Sequence, residues 1–373
     1  MTQNAKITFV LPNLGGGGAE RVTVSLANAI AARGIETTFV VGQAEGPYLK
    51  DVDDKVRLVD LQVPQIRKAV PGLIKHFNND KPDAVLSALT HANLAVLVAA
   101  QRANKGPRII VAEHNSTKML MHGNKLPKRM LKRYMIRKFY PRADDIVLVS
   151  RDMRPDFAKF ISLPVERFTP IHNPIIPPPS LDPAYQIHPW LQEKTTPVVV
   201  GAGRLSTQKD FGTLIKAFDK MRDRTSARLV IFGEGPDREK LEKLRGHLGL
   251  EDRVDLPGFV SNLSAELAAS DLFAMSSLWE GLPMVLLEAL AVGTPVVCTD
   301  CPTGPDEILE SGKWGRLVPM NDPSALARGI FSALESPLEI PTEQVLARFD
   351  MDFIVDQYLS TTLPGGAATK AVA

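Results

Sequence analysis

Short apolar runs recur along the chain with amphipathic stretches between them, and that alternation restricts the fold more than any single motif. In the first half the runs Ile7–Leu11, Thr37–Val41, Ala84–Ser87, Ile109–Ala112 and Ile146–Ser150 have the length and apolar content of buried strands. The rhythm restarts at Pro197–Gly201 and continues through Ala227–Phe232, Val254–Leu256, Leu272–Met275 and Pro295–Thr299. Helical spacing fills the gaps, most clearly in Ala19–Arg33, which stops at Gly34. Strands and helices in alternation build parallel sheets covered on both faces. Between the two series lies NPIIPPPSLDP, residues 173–183, too rich in proline for a helix or a central strand. The expected architecture is α/β, with two doubly wound Rossmann-like parallel-sheet domains facing across a cleft. The first spans residues 1–172, a linker 173–190, and the second 191–345. A helix over 346–363 is expected to return to the first domain, with a disordered tail over 364–373.

Composition supports two ordinary cores: 373 residues, 44% of them hydrophobic. The net charge of +2 hides a division. Residues 1–180 carry 26 Lys and Arg against 15 Asp and Glu, or +11; the remainder carries 18 against 27, or −9. Two halves of opposite sign imply different partners. The stretch before Pro12 is too short for a leader or a membrane span, which suggests a cytoplasmic chain. Cys298 and Cys301, the two cysteines, lack the further ligands of a zinc site and read as reduced, structural thiols.

Three loops at expected carboxyl ends of strands carry candidate chemistry, and ligands of open parallel sheets bind there. PNLGGGGAER, residues 12–21, places a bare loop before a helix and so offers backbone N–H groups to an anion. It is no Walker loop, and Glu20 stands where a dinucleotide fingerprint needs its third glycine. A merely flexible turn fits the stretch equally well. GRLSTQKD, residues 203–210, projects Arg204 and Lys209 from one loop, a fork and a point charge suited to a diphosphate. In SLWEGLPMVLLEALAVGTPVV, residues 277–297, Gly281 and Pro283 open a helix that Gly293 closes. Glu280 then sits before the free amides of Met284–Leu287, and Glu288 sits among leucines, where a carboxylate needs a hydrogen-bond partner.

Together these stretches resemble the retaining glycosyltransferases of family 4, which have the GT-B fold. The resemblance rests on Glu280-x7-Glu288 with Gly281-Leu282-Pro283, Gly203-Arg204-Leu205 with Lys209-Asp210, Gly233-Glu234-Gly235-Pro236 and Gly258-Phe259-Val260. It is dense over about residues 197–320 and thinner in the first half, at Gly17-Gly18-Ala19-Glu20 and His114-Asn115. It implies that Arg204 and Lys209 bind the diphosphate of a nucleotide-sugar and that Glu288 holds the ribose. Glu280 and the backbone of Gly281, Leu282 and Pro283 would hold the transferred sugar, with Met284 and Val285 also in the donor site. Gly203 would line the same donor site, while Val260 and Gly233 would frame the base. Gly17 and Gly18 would approach the donor phosphate, and His114 would contact sugar or acceptor. The implied donor is a UDP-sugar, uridine being the family's most frequent base. The implied reaction is same-face substitution without a metal or other cofactor. Asp51-Val52-Asp53 and Asp350-Met351-Asp352 read as solvated loop or helix-start acids.

Nine Lys and Arg and no acid lie between Lys118 and Arg142. On a helical wheel Lys125, Lys128, Arg129, Lys132, Arg133 and Arg137 share one side. Leu126, Met130, Leu131, Tyr134 and Met135 fall largely opposite. A basic amphipathic helix suits an anionic membrane surface or a lipid-diphosphate acceptor; a core-packed helix with a solvated basic face is the plainer alternative. The expectation is a protein peripheral to the inner face of the cell membrane, acting on a lipid-linked or polysaccharide acceptor. Nucleic acid is not expected, for want of an aromatic stacking platform. A soluble sugar acceptor, an epimerase, a non-enzymatic lipid-binding module and a dinucleotide oxidoreductase are the competing readings.

Overall fold

A computed structural model describes residues 5–121, 126–176 and 185–363. The chain divides into two compact units, Met1–Pro174 with Arg348–Ala373, and Ile175–Ala347. The first holds seven parallel strands: β1 (Lys6–Leu11), β2 (Glu36–Val41), β3 (Val56–Asp60), β4 (Ala84–Ala88), β5 (Arg108–Glu113), β6 (Asp145–Leu148) and β7 (Phe168–Pro170). Their spatial order is β3-β2-β1-β4-β5-β6-β7, so the winding reverses between β1 and β4. The second holds β8 (Val198–Ala202), β9 (Arg228–Phe232), β10 (Val254–Gly258), β11 (Leu272–Met275), β12 (Val296–Thr299) and β13 (Arg316–Val318), in the order β10-β9-β8-β11-β12-β13. Both are Rossmann-like sheets, and their reversal points are where such sheets bind ligands.

Three strands, β3, β7 and β13, escape a reading of apolar runs, and all three are edges. An edge strand covers less core and needs fewer apolar residues. β3 buries only Val56 of Val-Arg-Leu-Val-Asp, and β7 and β13 are three residues each. Central strands show the opposite: β8 is buried at every position. Helix spacing explains the layers against them. Phe211–Met221 buries Phe211, Leu214, Ile215, Phe218 and Met221, one stripe at intervals of three and four, against the second sheet. Truncating Phe218 to Ala would cost about 3–5 kcal/mol.

The first-unit helix Gly18–Ala32 is closed by Gly34 at φ +81°. Arg33 beyond its end grips the last helix, Met351–Thr362, through Asp352 at 2.8 Å. Asp350 caps that helix by accepting from the amides of Asp352 and Phe353, at 2.9 and 3.1 Å. Asp53 likewise accepts from the Lys55 amide in a loop, so neither Asp-x-Asp string stands at a strand's carboxyl end. Residues 177–184 of the proline-rich stretch and the tail over 364–373 lie outside the described residues.

Candidate active site

The carboxyl edge of the second sheet is assembled by loops that touch backbone to backbone. Gly233 (φ +131°) follows β9, and a Cβ there would lie 2.1 Å from the Gly203 carbonyl oxygen. Gly203 itself follows β8 at φ +144°. Only glycine tolerates both the dihedrals and the approach. The contact is stitched by Gly203 N donating to Phe232 O at 3.0 Å and Leu205 N to Glu234 O at 2.9 Å. These motif glycines thus have a structural reason to be bare.

From that frame Arg204 reaches solvent, and its guanidinium makes no side-chain hydrogen bond or ion pair with the described residues. Lys209 behaves otherwise. Its Nζ lies 2.7 Å from Glu280 Oε1, with side chains 15% and 7% exposed. Gln208 Nε2 donates to Glu280 Oε2 at 3.1 Å and to the Trp279 carbonyl at 3.0 Å. Both oxygens of Glu280 are therefore held. The sequence reading assigned Lys209 to phosphate and Glu280 to sugar; the structure joins them as a buried ion pair, in which each charge depends on the other. Gln208 escaped that reading because an uncharged amide inside a basic motif carries no signal of its own.

Glu280 is followed by Gly281, Leu282 and Pro283, all buried, and by the helix Met284–Ala291. Met284 and Val285 are half-buried in its first turn, where no side chain caps the amides. Unsatisfied N–H groups and the dipole leave that end receptive to negative charge. Glu288 lies half-buried one turn further along, and Val260 is half-buried beyond β10. Cys298 and Cys301 are free and buried, and burial pushes the Cys301 thiol up to about 12, which keeps it a neutral thiol. Among the described residues no group of three His, Cys, Asp or Glu side chains is placed to hold a metal ion.

At the carboxyl edge of the first sheet Gly17 caps the helix Gly18–Ala32, and Gly18 is exposed. A Cβ on Gly17 would fall 2.3 Å from Glu20 Oε2, so the glycine is bare where a carboxyl folds back over it. Burial raises the pKa of that carboxyl. His114 follows β5; burial lowers its imidazole to about 4, so the ring is neutral near pH 7. Its Nδ1 and Asn173 Oδ1 are both buried without a hydrogen bond. Beneath it Glu113 is fully buried and accepts from Thr90 Oγ1 and Asn93 Nδ2, each at 3.2 Å, and from the Tyr140 hydroxyl. Burial pushes the Glu113 carboxyl above the usual carboxylate range. Nothing in the sequence pattern marks this cluster.

The basic helix is Leu126–Phe139, and Ile136 is its one buried residue. Leu126, Met130, Leu131 and Tyr134 are 57–66% exposed, so the apolar stripe faces solvent instead of a core. The expected basic face is divided. Lys128 and Arg129 are exposed, but Arg133 and Arg137 both donate to the Phe160 carbonyl, at 3.3 and 3.0 Å. Lys132 turns inward and donates to Leu120 O at 3.1 Å. A wheel cannot foresee this, because it does not show which neighbours the helix leans on. Lys125 lies outside the described residues. No described helix is long and apolar enough to cross a membrane.

Comparison with known proteins agrees with this geometry. Residues 16–177 match Glycosyltransferase Family 4, and residues 186–348 match Glycosyl transferases group 1. An uncharacterised glycosyltransferase of Methanocaldococcus jannaschii is 30% identical over 70% of this chain and 69% of its own length. The Campylobacter jejuni N-acetylgalactosamine-N,N'-diacetylbacillosaminyl-diphospho-undecaprenol 4-alpha-N-acetylgalactosaminyltransferase is 26% identical over 88% of this chain and 90% of its own. Among solved structures, Anabaena HepE in complex with UDP is 21% identical with a TM-score of 0.74, covering 95% of this chain and 99% of that one. The chain belongs to the glycosyltransferases of the GT-B fold, with a family 4 first half and a group 1 second half.

Proposed function

We propose that the protein is a retaining glycosyltransferase that moves a hexose or N-acetylhexosamine from a UDP-sugar to a lipid-linked glycan or a cell-surface polysaccharide intermediate. The carrying observation is the edge of the second sheet, where an unpartnered Arg204, a held Glu280 and an uncapped helix start lie on neighbouring loops. Arg204 and the first amides of Met284–Ala291 take the diphosphate. Lys209 orients Glu280 toward hydroxyls of the sugar and lends positive charge behind it. Glu288 receives the ribose, and backbone near Gly233 and Val260 frames the base.

Charge develops on the departing diphosphate, so fixed donors aimed at it lower the barrier, each by about 2.7–4 kcal/mol where such groups have been removed. The leaving oxygen also takes the proton of the incoming hydroxyl, which gives retention with neither a carboxylate nucleophile nor a metal. From the first unit Gly17 and Gly18 are assigned to phosphate oxygens, and neutral His114 to a sugar or acceptor hydroxyl. The Leu126–Phe139 helix, apolar and basic at once, is assigned to an anionic membrane surface bearing the acceptor. That surface places the protein peripherally on the inner face of the cell membrane. The Campylobacter relative, whose name carries a diphospho-undecaprenol acceptor, supports the same substrate class.

The test offers a panel of UDP-, GDP- and ADP-sugars with undecaprenyl-diphosphate-linked saccharides, with and without EDTA, and reads the product's anomeric configuration by NMR. Transfer from a UDP-sugar with retained configuration, unaffected by EDTA, is expected. Inversion, or dependence on a metal, would overturn the mechanism; transfer only from another nucleotide would overturn the donor.

A further inference from the structure

The loop after β12, residues 300–304, closes over the loop that carries Glu280. Thr299 Oγ1 donates to the Ser277 carbonyl at 2.7 Å, and Thr303 Oγ1 donates to the Glu280 carbonyl. Thr303 is 7% exposed and adopts φ +67°, a left-handed conformation that a β-branched side chain enters only under constraint. The next residue, Gly304, has φ +99°, and a Cβ on it would lie 2.5 Å from Pro283 Cδ and 3.1 Å from the Gly281 carbonyl oxygen. The strained turn therefore presses directly on Gly281, Leu282 and Pro283.

Peptide bonds here are trans, so a carbonyl held on one side directs the next N–H to the other. With the Glu280 carbonyl bound to Thr303, the Gly281 N–H points away from the clasping loop. Among the described residues neither Gly281 N nor Leu282 N donates to any acceptor, although both residues are buried. Buried backbone donors are rarely left without a partner. The hydrogen bond from the strained Thr303 falls on the Glu280–Gly281 peptide, and the idle amides belong to that peptide and the next.

We infer that Thr303 is a positioning residue of donor recognition, fixing the Glu280–Gly281 peptide so that the Gly281 and Leu282 amides stand ready for hydroxyls of the transferred sugar. This rests on the donor site proposed above. UDP alone lacks the sugar, so its affinity is independent of Thr303, whereas turnover of the UDP-sugar is not.

Three variants of the full chain separate the possibilities: Thr303→Val, Thr303→Ser and Thr303→Gly. Each is measured for UDP affinity by calorimetry and for UDP-sugar kcat/KM. Val keeps the shape but leaves the carbonyl unpaired, and should lose about tenfold or more in kcat/KM. Ser restores the hydroxyl and should stay within about threefold of wild type. Gly removes the strain with the hydroxyl, so it folds even where Val does not, and it too should lose about tenfold. UDP affinity should be unchanged in all three. Wild-type kcat/KM in Thr303→Gly, or UDP affinity falling in step with turnover, would overturn the assignment. A wild-type chain that binds no UDP would instead bring down the donor reading, and this inference with it.

Discussion

The carboxyl edges of the two sheets leave different groups unmet: the second pairs its buried charges and leaves Arg204 and the first amides of Met284–Ala291 open, whereas the first leaves a buried ring nitrogen and an apolar stripe open. On the second, Lys209, Gln208 and Glu280 satisfy one another, and loops interlock through Gly203 and Gly233. On the first, His114 Nδ1 is buried and unpaired, Glu20 lies over Gly17, and the Leu126–Phe139 helix shows an apolar stripe to solvent. A set of charges that has already met its partners needs little reorganisation when substrate arrives, which favours electrostatic catalysis. Unmet groups, on either edge, gain their partners from what is bound. Under the proposed roles the pre-paired charges of the second unit would meet the donor, and the open groups of the first would meet the acceptor.

Four variants sharpen or break that contrast, from the largest expected effect to the smallest. Glu280→Gln should cut kcat by about 100- to 1,000-fold. It should also lower stability by about 3 kcal/mol, since it strands a nearly buried Lys209. Urea denaturation and initial rates check both. An unchanged midpoint would show that the pair does not hold the loop.

His114 comes next. Its folded pKa of about 4 lies below the ordinary 6.5, so the stability it confers is present above pH 6.5 and drains away as pH falls toward 4. At most about 3 kcal/mol is at stake. His114→Gln should flatten the stability–pH curve across that window, and an unaltered curve would refute the burial.

Arg204→Ala should weaken UDP binding by about tenfold to a hundredfold, the worth of hydrogen bonds from a charged fork. Because the side chain is exposed and unpartnered, stability should hold within about 0.5 kcal/mol. Smallest in the isolated protein is Met130→Ser with Leu131→Ser: no more than about 0.5 kcal/mol in stability. In co-sedimentation with anionic vesicles the same variant should lose most of its binding. Full retention would make the stripe an ordinary surface.

Arg204 and Glu280 stand where the sequence expected them, in loops between an apolar run and a helix signal, and Glu288 stands inside the helix that follows. The Lys209–Glu280 pair was not legible, since its partners are 71 residues apart and only the sheet order brings them together. Ten strands were legible from burial, while β3, β7 and β13 were hidden because edge strands need little apolar sequence. Gly17 shows a subtler gap: its bareness read as room for phosphate, and the sequence did not foretell that the Glu20 carboxyl folds back over it. In Leu126–Phe139 both faces were legible, yet which one the protein covers depends on Phe160 and Leu120, far from any helical spacing.

The central claim is that the second sheet carries the nucleotide-sugar, and amide hydrogen exchange with and without saturating UDP-sugar addresses it most directly. Slower exchange is expected in residues 203–209 and 281–287, with the Leu126–Phe139 helix unaltered. Protection confined to the first unit, or no protection near Gly281, would contradict the account.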